Sequence, residues 1–329
     1  MIVKVALLGA GHWHAPMHAD AARFAGATLC AVWDPDATAA RALADRFDAP
    51  AIPSLDQVLA TRPDICVTMG HPAEVPALAR ALIDAGMPMI LEKPAAPETR
   101  ILREIEARAQ AQGVFVAVPL ANRLSPAMRG LARTPEDTGG GDDAPPRVAH
   151  ASFRIVNGPP ERYRDDGVPW VLDPAAAGGG ALRNLGLHGI DCALCLADGP
   201  VRVTSAQIAR RLHPDEMVED HALVTLTDAA GALFVVEAGY TTPAMQAGGD
   251  LEWRVATKGA YLVDRGDSAQ WIGPRGLRSL PALPPDERYR AFMTDTLARL
   301  ADGRPPLVGL SDYVAAMAVI DQAYALAAE

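Results

Sequence analysis

The sequence predicts an α/β domain on a parallel sheet, followed by an α+β domain on an open, mainly antiparallel sheet. Three observations predict it. Up to about residue 121, short and almost wholly apolar runs alternate with Ala- and Arg-rich stretches of helical spacing, as expected for strands covered by helices on both faces. Beyond residue 147 the apolar runs follow one another with few helical stretches between them, which suits an antiparallel sheet with one buried face. The length, 329 residues, also exceeds what one small core organises. The expected domains are residues 1–121 and 122–329.

In chain order, the first domain is expected to carry strands at Ile2–Leu8, Thr28–Trp33, Ile65–Met69, Met89–Leu91 and Val114–Val118. Between them, Ala37–Phe47, Ala73–Ala85 and Glu98–Gln112 have helical periodicity. Pro16 is expected to delay the first helix. Thr134–Pro146 has no periodicity and reads as a mobile surface loop. Strands follow at Val148–Val156, Val201–Arg210, His221–Leu226, Leu233–Tyr240, Leu251–Thr257 and Tyr261–Val263, and two helices, Pro285–Leu300 and Ser311–Ala328, close the chain. No internal repeat is present.

Composition excludes several classes of function. Hydrophobic residues are 50% and charged residues 21%, ordinary for a compact soluble protein. A net charge of -10 argues against nucleic acid or an anionic membrane as partner. No apolar run is long enough to span a bilayer, and the N-terminus enters a strand pattern with no basic segment and cleavage site. A cytoplasmic location is therefore expected. The cysteines, Cys30, Cys66, Cys192 and Cys195, are all read as reduced core residues; the last two form a C-x-x-C with no second pair for a metal.

Gly9-Ala10-Gly11-His12-Trp13-His14 follows the first strand directly. Its glycines suit a strand-to-helix turn whose N–H groups meet a pyrophosphate, although His14 stands where a third glycine is usual. Asp34 ends the second strand at the spacing of a residue that binds ribose hydroxyls. A carboxylate there repels a 2′-phosphate, so NAD is preferred over NADP. Gly9, Asp34, His71 and Glu92-Lys93-Pro94 each follow a predicted strand, and in a parallel sheet those ends share the ligand-binding edge. Pro94 holds Lys93 out of helical geometry.

Gly178-Gly179-Gly180 cannot sit comfortably inside a helix or strand and marks a close approach of the backbone to another group. Leu182, Leu185, Ile190 and Leu194 then suit one helix face, with Asn184 and His188, four apart, on another. An imidazole held beside a polar neighbour suits proton transfer, while a glycine-hinged core helix with a satisfied histidine explains the pattern equally well.

Taken in order, the glycine turn, Asp34, Glu92-Lys93-Pro94, Asn122-Arg123-Leu124-Ser125-Pro126, Pro169-Trp170, the triple glycine with His188 and Asp191, and Glu219-Asp220 resemble the glucose–fructose oxidoreductase / inositol dehydrogenase / rhizopine catabolism (Gfo/Idh/MocA) family over nearly the whole chain. The resemblance implies a Rossmann domain, a sheet domain that walls the substrate site and often joins subunits, and oxidation or reduction of a sugar, polyol or inositol by a nicotinamide cofactor. Lys93 matches the lysine that touches the nicotinamide ribose and the reacting oxygen, and His188 the acid/base histidine. Where active members commonly have Asp, this chain has Asn184. Cofactor contacts are expected from Gly9, Gly11, His12, Trp13, His14, Asp34, Met69, His71, Glu92, Lys93 and Arg123. Substrate contacts are expected from Lys93, Arg154, Trp170, Asp173, Asn184, His188 and Tyr240. Asp191 is expected to pair structurally near His188.

For His12 and His14, turn packing is favoured over cofactor or substrate contact, and both over a metal, for which no further ligand lies nearby in sequence. A homodimer or homotetramer is expected. Two rivals remain: a regulatory protein that senses a dinucleotide or sugar without turnover, and a hydrolase that retains its NAD.

Overall fold

The computed structural model describes residues 2–131, 147–244 and 249–328; the expected loop at 134–146 lies outside them. Two compact units are present, each assembled from three stretches of chain. One comprises Met1–Pro119, Tyr163–Gly178 and Tyr289–Val314; the other comprises Leu120–Arg162, Gly179–Arg288 and Ala315–Glu329.

The first unit holds a five-stranded sheet in the order β2-β1-β3-β4-β5, with β1 at Lys4–Leu8, β2 at Thr28–Trp33, β3 at Ile65–Thr68, β4 at Met89–Leu91 and β5 at Val116–Ala117. Every pairing is parallel. Its central strands are fully buried, which is why they read as unbroken apolar runs. The helices are α1 (Ala15–Phe24), α2 (Ala37–Arg46), α3 (Leu55–Ala60), α4 (Val75–Asp84) and α5 (Thr99–Gln112). Asp36 caps α2 by accepting from the Thr38 N–H, and Ser54 caps α3 through the Gln57 N–H. The sequence reading missed α3, whose six residues are too few to show a period. Pro16 does not delay α1: it sits in the first turn, where its missing N–H costs nothing.

The second unit is built on an eight-stranded sheet in the order β13-β12-β11-β10-β6-β9-β8-β7. These strands are β6 (Val148–Val156), β7 (Arg202–Ala209), β8 (His221–Thr227), β9 (Leu233–Gly239), β10 (Asp250–Thr257), β11 (Tyr261–Asp264), β12 (Ala269–Gly273) and β13 (Gly276–Leu280). Only β6 and β9 pair in parallel; the other neighbours are antiparallel. The sequence reading missed the β12–β13 hairpin, because the side chains of β13 are nearly all exposed and show no alternation.

Ala151, Phe153, Val224, Val236, Ala238 and Trp253 are buried along the sheet. The remaining helices are α6 (Pro126–Leu131), α7 (Glu161–Asp165), α8 (Pro174–Ala177), α9 (Leu187–Leu196), α10 (Pro285–Ala301) and α11 (Leu310–Ala327). Helix α9 lies tight on the sheet: a Cβ at Gly189 would fall 2.8 Å from Phe153 Cβ. Inside this unit Arg288 is buried, donating to both oxygens of Asp264 at 2.9 and 2.8 Å and to Asn122 Oδ1 at 2.7 Å.

Two of the four cysteines depart from the expected core placement. Cys66 and Cys192 are buried, but Cys30 is half-buried and Cys195 exposed; Cys195 sits where α9 loses its cover toward its C-terminal end, residues 191–193 being buried and 194–196 not. Burial pushes the Cys66 thiol up to about 12, so it stays protonated and unreactive.

Candidate active site

In the first unit the strand order turns about β1, and the chain leaves β1 and β3 on either side of one crevice. Gly9 has φ +89°, and a Cβ there would sit 2.2 Å from the Met69 carbonyl oxygen. Only glycine fits that junction. Gly11 N–H donates to Asp34 Oδ2 at 2.8 Å, while Asp36 N–H donates to Oδ1 at 2.8 Å. The Asp34 carboxylate thus ties the turn to the end of β2 and presents negative charge to the crevice.

A cleft of about 560 Å³ opens here, lined among others by Gly9, Gly11, His12, Asp34, Leu55, Met69, His71, Leu78 and Trp170. A cleft with apolar walls, a strand-to-helix junction where Gly9 tolerates no Cβ, and a lining carboxylate fits a nicotinamide dinucleotide. Aromatic rings line part of it. His12 stacks on Trp13 with centroids 4.0 Å apart, and Trp170 lies 5.5 Å from Trp13 and 5.6 Å from His71. Lys93 Nζ stands 6.0 Å from the centre of the Trp13 ring. Burial holds the His12 imidazole well below its ordinary value, with His14 adding to the effect.

Glu92 is buried after β4, and sequence reasoning missed two of its partners, His18 and Tyr289. His18 Nε2 contacts Glu92 Oε2 at 2.6 Å, His14 Nδ1 lies 3.4 Å from the same oxygen, and Tyr289 Oη is 3.3 Å from His14 Nδ1. The other Glu92 oxygen accepts the Lys93 N–H at 2.9 Å, so Glu92 fixes the peptide that carries Lys93. Burial pushes the Glu92 carboxyl up, but the charge and hydrogen bond of His14 and the hydrogen bond of His18 outweigh it and hold it well below the usual carboxylate range. His18 lies on the helix begun by the glycine turn, and no local pattern marks it. Burial also lowers His14.

In the second unit, the segment before α9 departs from a regular helix. Leu182–Gly186 is a π-helix, in which Leu187 N–H reaches back to the Leu182 carbonyl. Asn184 lies inside this wider turn, and His188 follows just beyond it, one helical turn further along the chain. Asn184 is buried, and its Nδ2 donates to Tyr240 Oη at 3.0 Å. His188 is half-buried in the first turn of α9.

The structure thus joins Asn184 to Tyr240, one helical turn before His188 in the chain. It places Arg154 elsewhere: its neighbours in β6, Phe153 and Ile155, are buried on the α9 side, whereas Arg154 is exposed and paired with Asp250 and Glu237. Arg123 is held by Asp191, Nη2 to Oδ1 at 2.6 Å and Nε to Oδ2 at 2.9 Å. Asp173 caps α8 through the Ala175 N–H at 2.8 Å. Among the described residues, no group of three or more His, Cys, Asp or Glu side chains is arranged to hold a metal, and no helix is long and apolar enough to cross a membrane.

A parallel α/β unit with a dinucleotide cleft and a sheet unit carrying a buried polar pair one helical turn before a histidine define a two-unit nicotinamide oxidoreductase. Residues 3–120 match the oxidoreductase family with an NAD-binding Rossmann fold, and residues 145–262 match the GFO/IDH/MocA C-terminal domain. The chain belongs to the Gfo/Idh/MocA family of NAD-binding oxidoreductases. Among solved structures it is similar to an oxidoreductase from Agrobacterium radiobacter in complex with NAD+, L-tartaric acid and magnesium (19% identity, TM-score 0.85, covering 100% of this chain and 97% of that one). It is also similar to levoglucosan dehydrogenase in complex with NADH and levoglucosan (17%, 0.83, 100% and 98%). A third likeness is to GenD2 from gentamicin A biosynthesis in complex with NAD (25%, 0.78, 100% and 95%). No curated protein matches the chain.

Proposed function

We propose that this protein is an NAD-dependent dehydrogenase acting on a hydroxyl or carbonyl of a sugar, polyol or inositol. The observation that carries the reading is the buried Asn184–Tyr240 hydrogen bond, one helical turn before half-buried His188, polar groups able to orient hydroxyls for a proton acceptor. Levoglucosan dehydrogenase, named for a sugar substrate, shares the fold and supports the substrate class.

When bound, the nicotinamide supplies hydride acceptance or donation at the reacting carbon. Gly9, Gly11, Asp34, Met69 and His71 hold the cofactor, with His12, Trp13, His14, Glu92 and Arg123 shaping or steadying its surroundings. His188 takes the proton of the reacting hydroxyl, and the Lys93 ammonium stabilises the developing alkoxide. Asn184 donates to or accepts from substrate hydroxyls without adding charge. Trp170 offers an apolar platform for a ring. Asp34 disfavours a 2′-phosphate, so NADH binds more tightly than NADPH. The protein works in the cytoplasm as a homodimer or homotetramer, and monomeric behaviour in light scattering would count against that assembly.

The test is incubation with NAD and a panel of polyols, inositols, aldoses and sugar acids, following NADH absorbance. A steady rise with one class establishes the dehydrogenase. Silence across the panel from a protein that still binds NADH returns the sensor or retained-cofactor reading.

A further inference from the structure

The functional reading leaves Glu219 unused, yet three consecutive backbone N–H groups converge on it. Gly180 N–H donates to Glu219 Oε2 at 2.9 Å, Ala181 N–H to its backbone carbonyl at 3.3 Å, and Leu182 N–H to Oε1 at 3.0 Å. These are donors that the first turn of a helix leaves without partners. A carboxylate is also favoured there by the helix dipole. Tyr324 of α11 donates its Oη proton to Glu219 Oε1 at 2.7 Å. Burial, reinforced by the Glu219 charge, raises the phenol well above its ordinary value, so it remains a donor.

This arrangement explains the glycines. A Cβ at Gly180 would lie 2.4 Å from the Glu219 carbonyl oxygen, and one at Gly179 would lie 2.2 Å from Tyr324 Oη. The glycines are there so that Glu219 and Tyr324 can press against bare backbone. On the other side of the same turn, Arg183 Nη1 reaches Asp321 Oδ1 of α11 at 2.9 Å.

We propose that Glu219, steadied by Tyr324, is a positioning residue that sets where the 180–196 helical segment begins and thereby holds Asn184 against Tyr240. The proposal rests on the reading of Asn184 and His188 as substrate-contacting groups. The segment is held at its start by Glu219 and at Gly189 by the sheet beneath, with Arg183 of the intervening turn tied to Asp321. The π-turn at Leu182–Gly186 lies between these points. It accommodates one residue more than an α-helix would, and that residue turns everything before it by roughly 100° about the axis. Asn184 lies inside this turn; His188 lies beyond it, in regular helix. Releasing the start lets the turn relax and swings Asn184 off Tyr240, while the sheet still holds the part of the helix that carries His188.

The test compares wild type with Glu219→Gln and with the milder Tyr324→Phe. The amide NH2 that Glu219→Gln introduces would meet either Gly180 N–H or Leu182 N–H, donor against donor. Amide exchange across residues 179–187 should then quicken by about tenfold or more in Glu219→Gln, and less in Tyr324→Phe. The Asn184 side-chain amide resonances should shift and lose their protection from solvent. With substrate, KM should rise about five- to tenfold, the worth of one oriented hydrogen bond, while kcat changes less and NADH affinity does not change.

Unchanged exchange, or faster exchange with the Asn184 resonances and KM unmoved, would overturn the proposal. If Glu219→Gln does not fold, Tyr324→Phe carries the same readouts. The exchange and resonance arms need no turnover. Failure of the dehydrogenase reading therefore shows as no activity in wild type, whereas failure of the positioning role shows in these two arms.

Discussion

At Asn184 a neutral amide stands where the family resemblance leads one to expect a carboxylate, and the difference is electrostatic. Its donation to Tyr240 Oη orients the side chain but adds no charge beside His188. Restoring Asp should favour the imidazolium, moving the acid limb of the pH–rate profile for kcat/KM to higher pH; an unmoved limb would place the two groups outside each other's field. His188→Ala should lower kcat by about 10²- to 10⁴-fold, the usual worth of a positioned base, with NADH affinity unchanged in a fluorescence titration. Lys93→Ala should also depress turnover, and unchanged kinetics would make Lys93 purely structural. The residue types were legible in sequence, but their partners were not. Nothing near Asn184 in the chain indicates Tyr240, and nothing near Glu92 indicates His18.

At the scale of elements, two turns carry the architecture. Gly9→Ala would place a methyl 2.2 Å from the Met69 carbonyl, at φ +89°. We expect a loss of about 1–3 kcal/mol from overpacking, plus backbone strain, seen as a lower urea midpoint and weakened NADH binding together. The elements with clear periodicity were legible: Thr28–Trp33, Met89–Leu91 and Val148–Val156 form over the ranges expected. Those that were missed lack the physical signal. Helix α3 is too short to show a period, and β13 has nothing to bury. The π-turn could not be read at all, since the residues after the triple glycine keep ordinary helical spacing and only their anchored surroundings impose the extra residue.

For the whole molecule, buried titratable groups set the response to acid. Burial holds His12 and His14 below their ordinary value, so the unfolded chain binds protons that the folded chain does not. Stability should therefore fall as pH drops below about 6.5. Glu92, held well below the carboxylate range, contributes stability that is complete above its unfolded value. Below about pH 4.5 that contribution is lost as pH falls through the folded value. Urea midpoints measured from about pH 8 to pH 4 should decline monotonically, and a His12→Asn/His14→Asn variant should flatten the decline between about pH 7 and pH 5. A midpoint that rises on acidification would contradict the signs assigned to all three groups.

Apolar run length and helical period are local properties, so the chain by itself determined the alternation of the first unit, the sheet-rich second unit and the glycine turn with Asp34. The choice of Lys93 and His188 as chemical candidates was likewise carried by residue type and order along the chain. Tertiary structure alone decided what those groups lean on. It set Glu92 among His14, His18 and Tyr289, matched Asn184 to Tyr240, turned Arg154 to the exposed face of its strand, and brought Glu219 and Tyr324 onto the bare backbone of Gly179 and Gly180. Those pairings join residues from 39 to 275 positions apart. They exist because a buried polar group must find a partner wherever packing brings one within reach, and no local pattern records which one it will be.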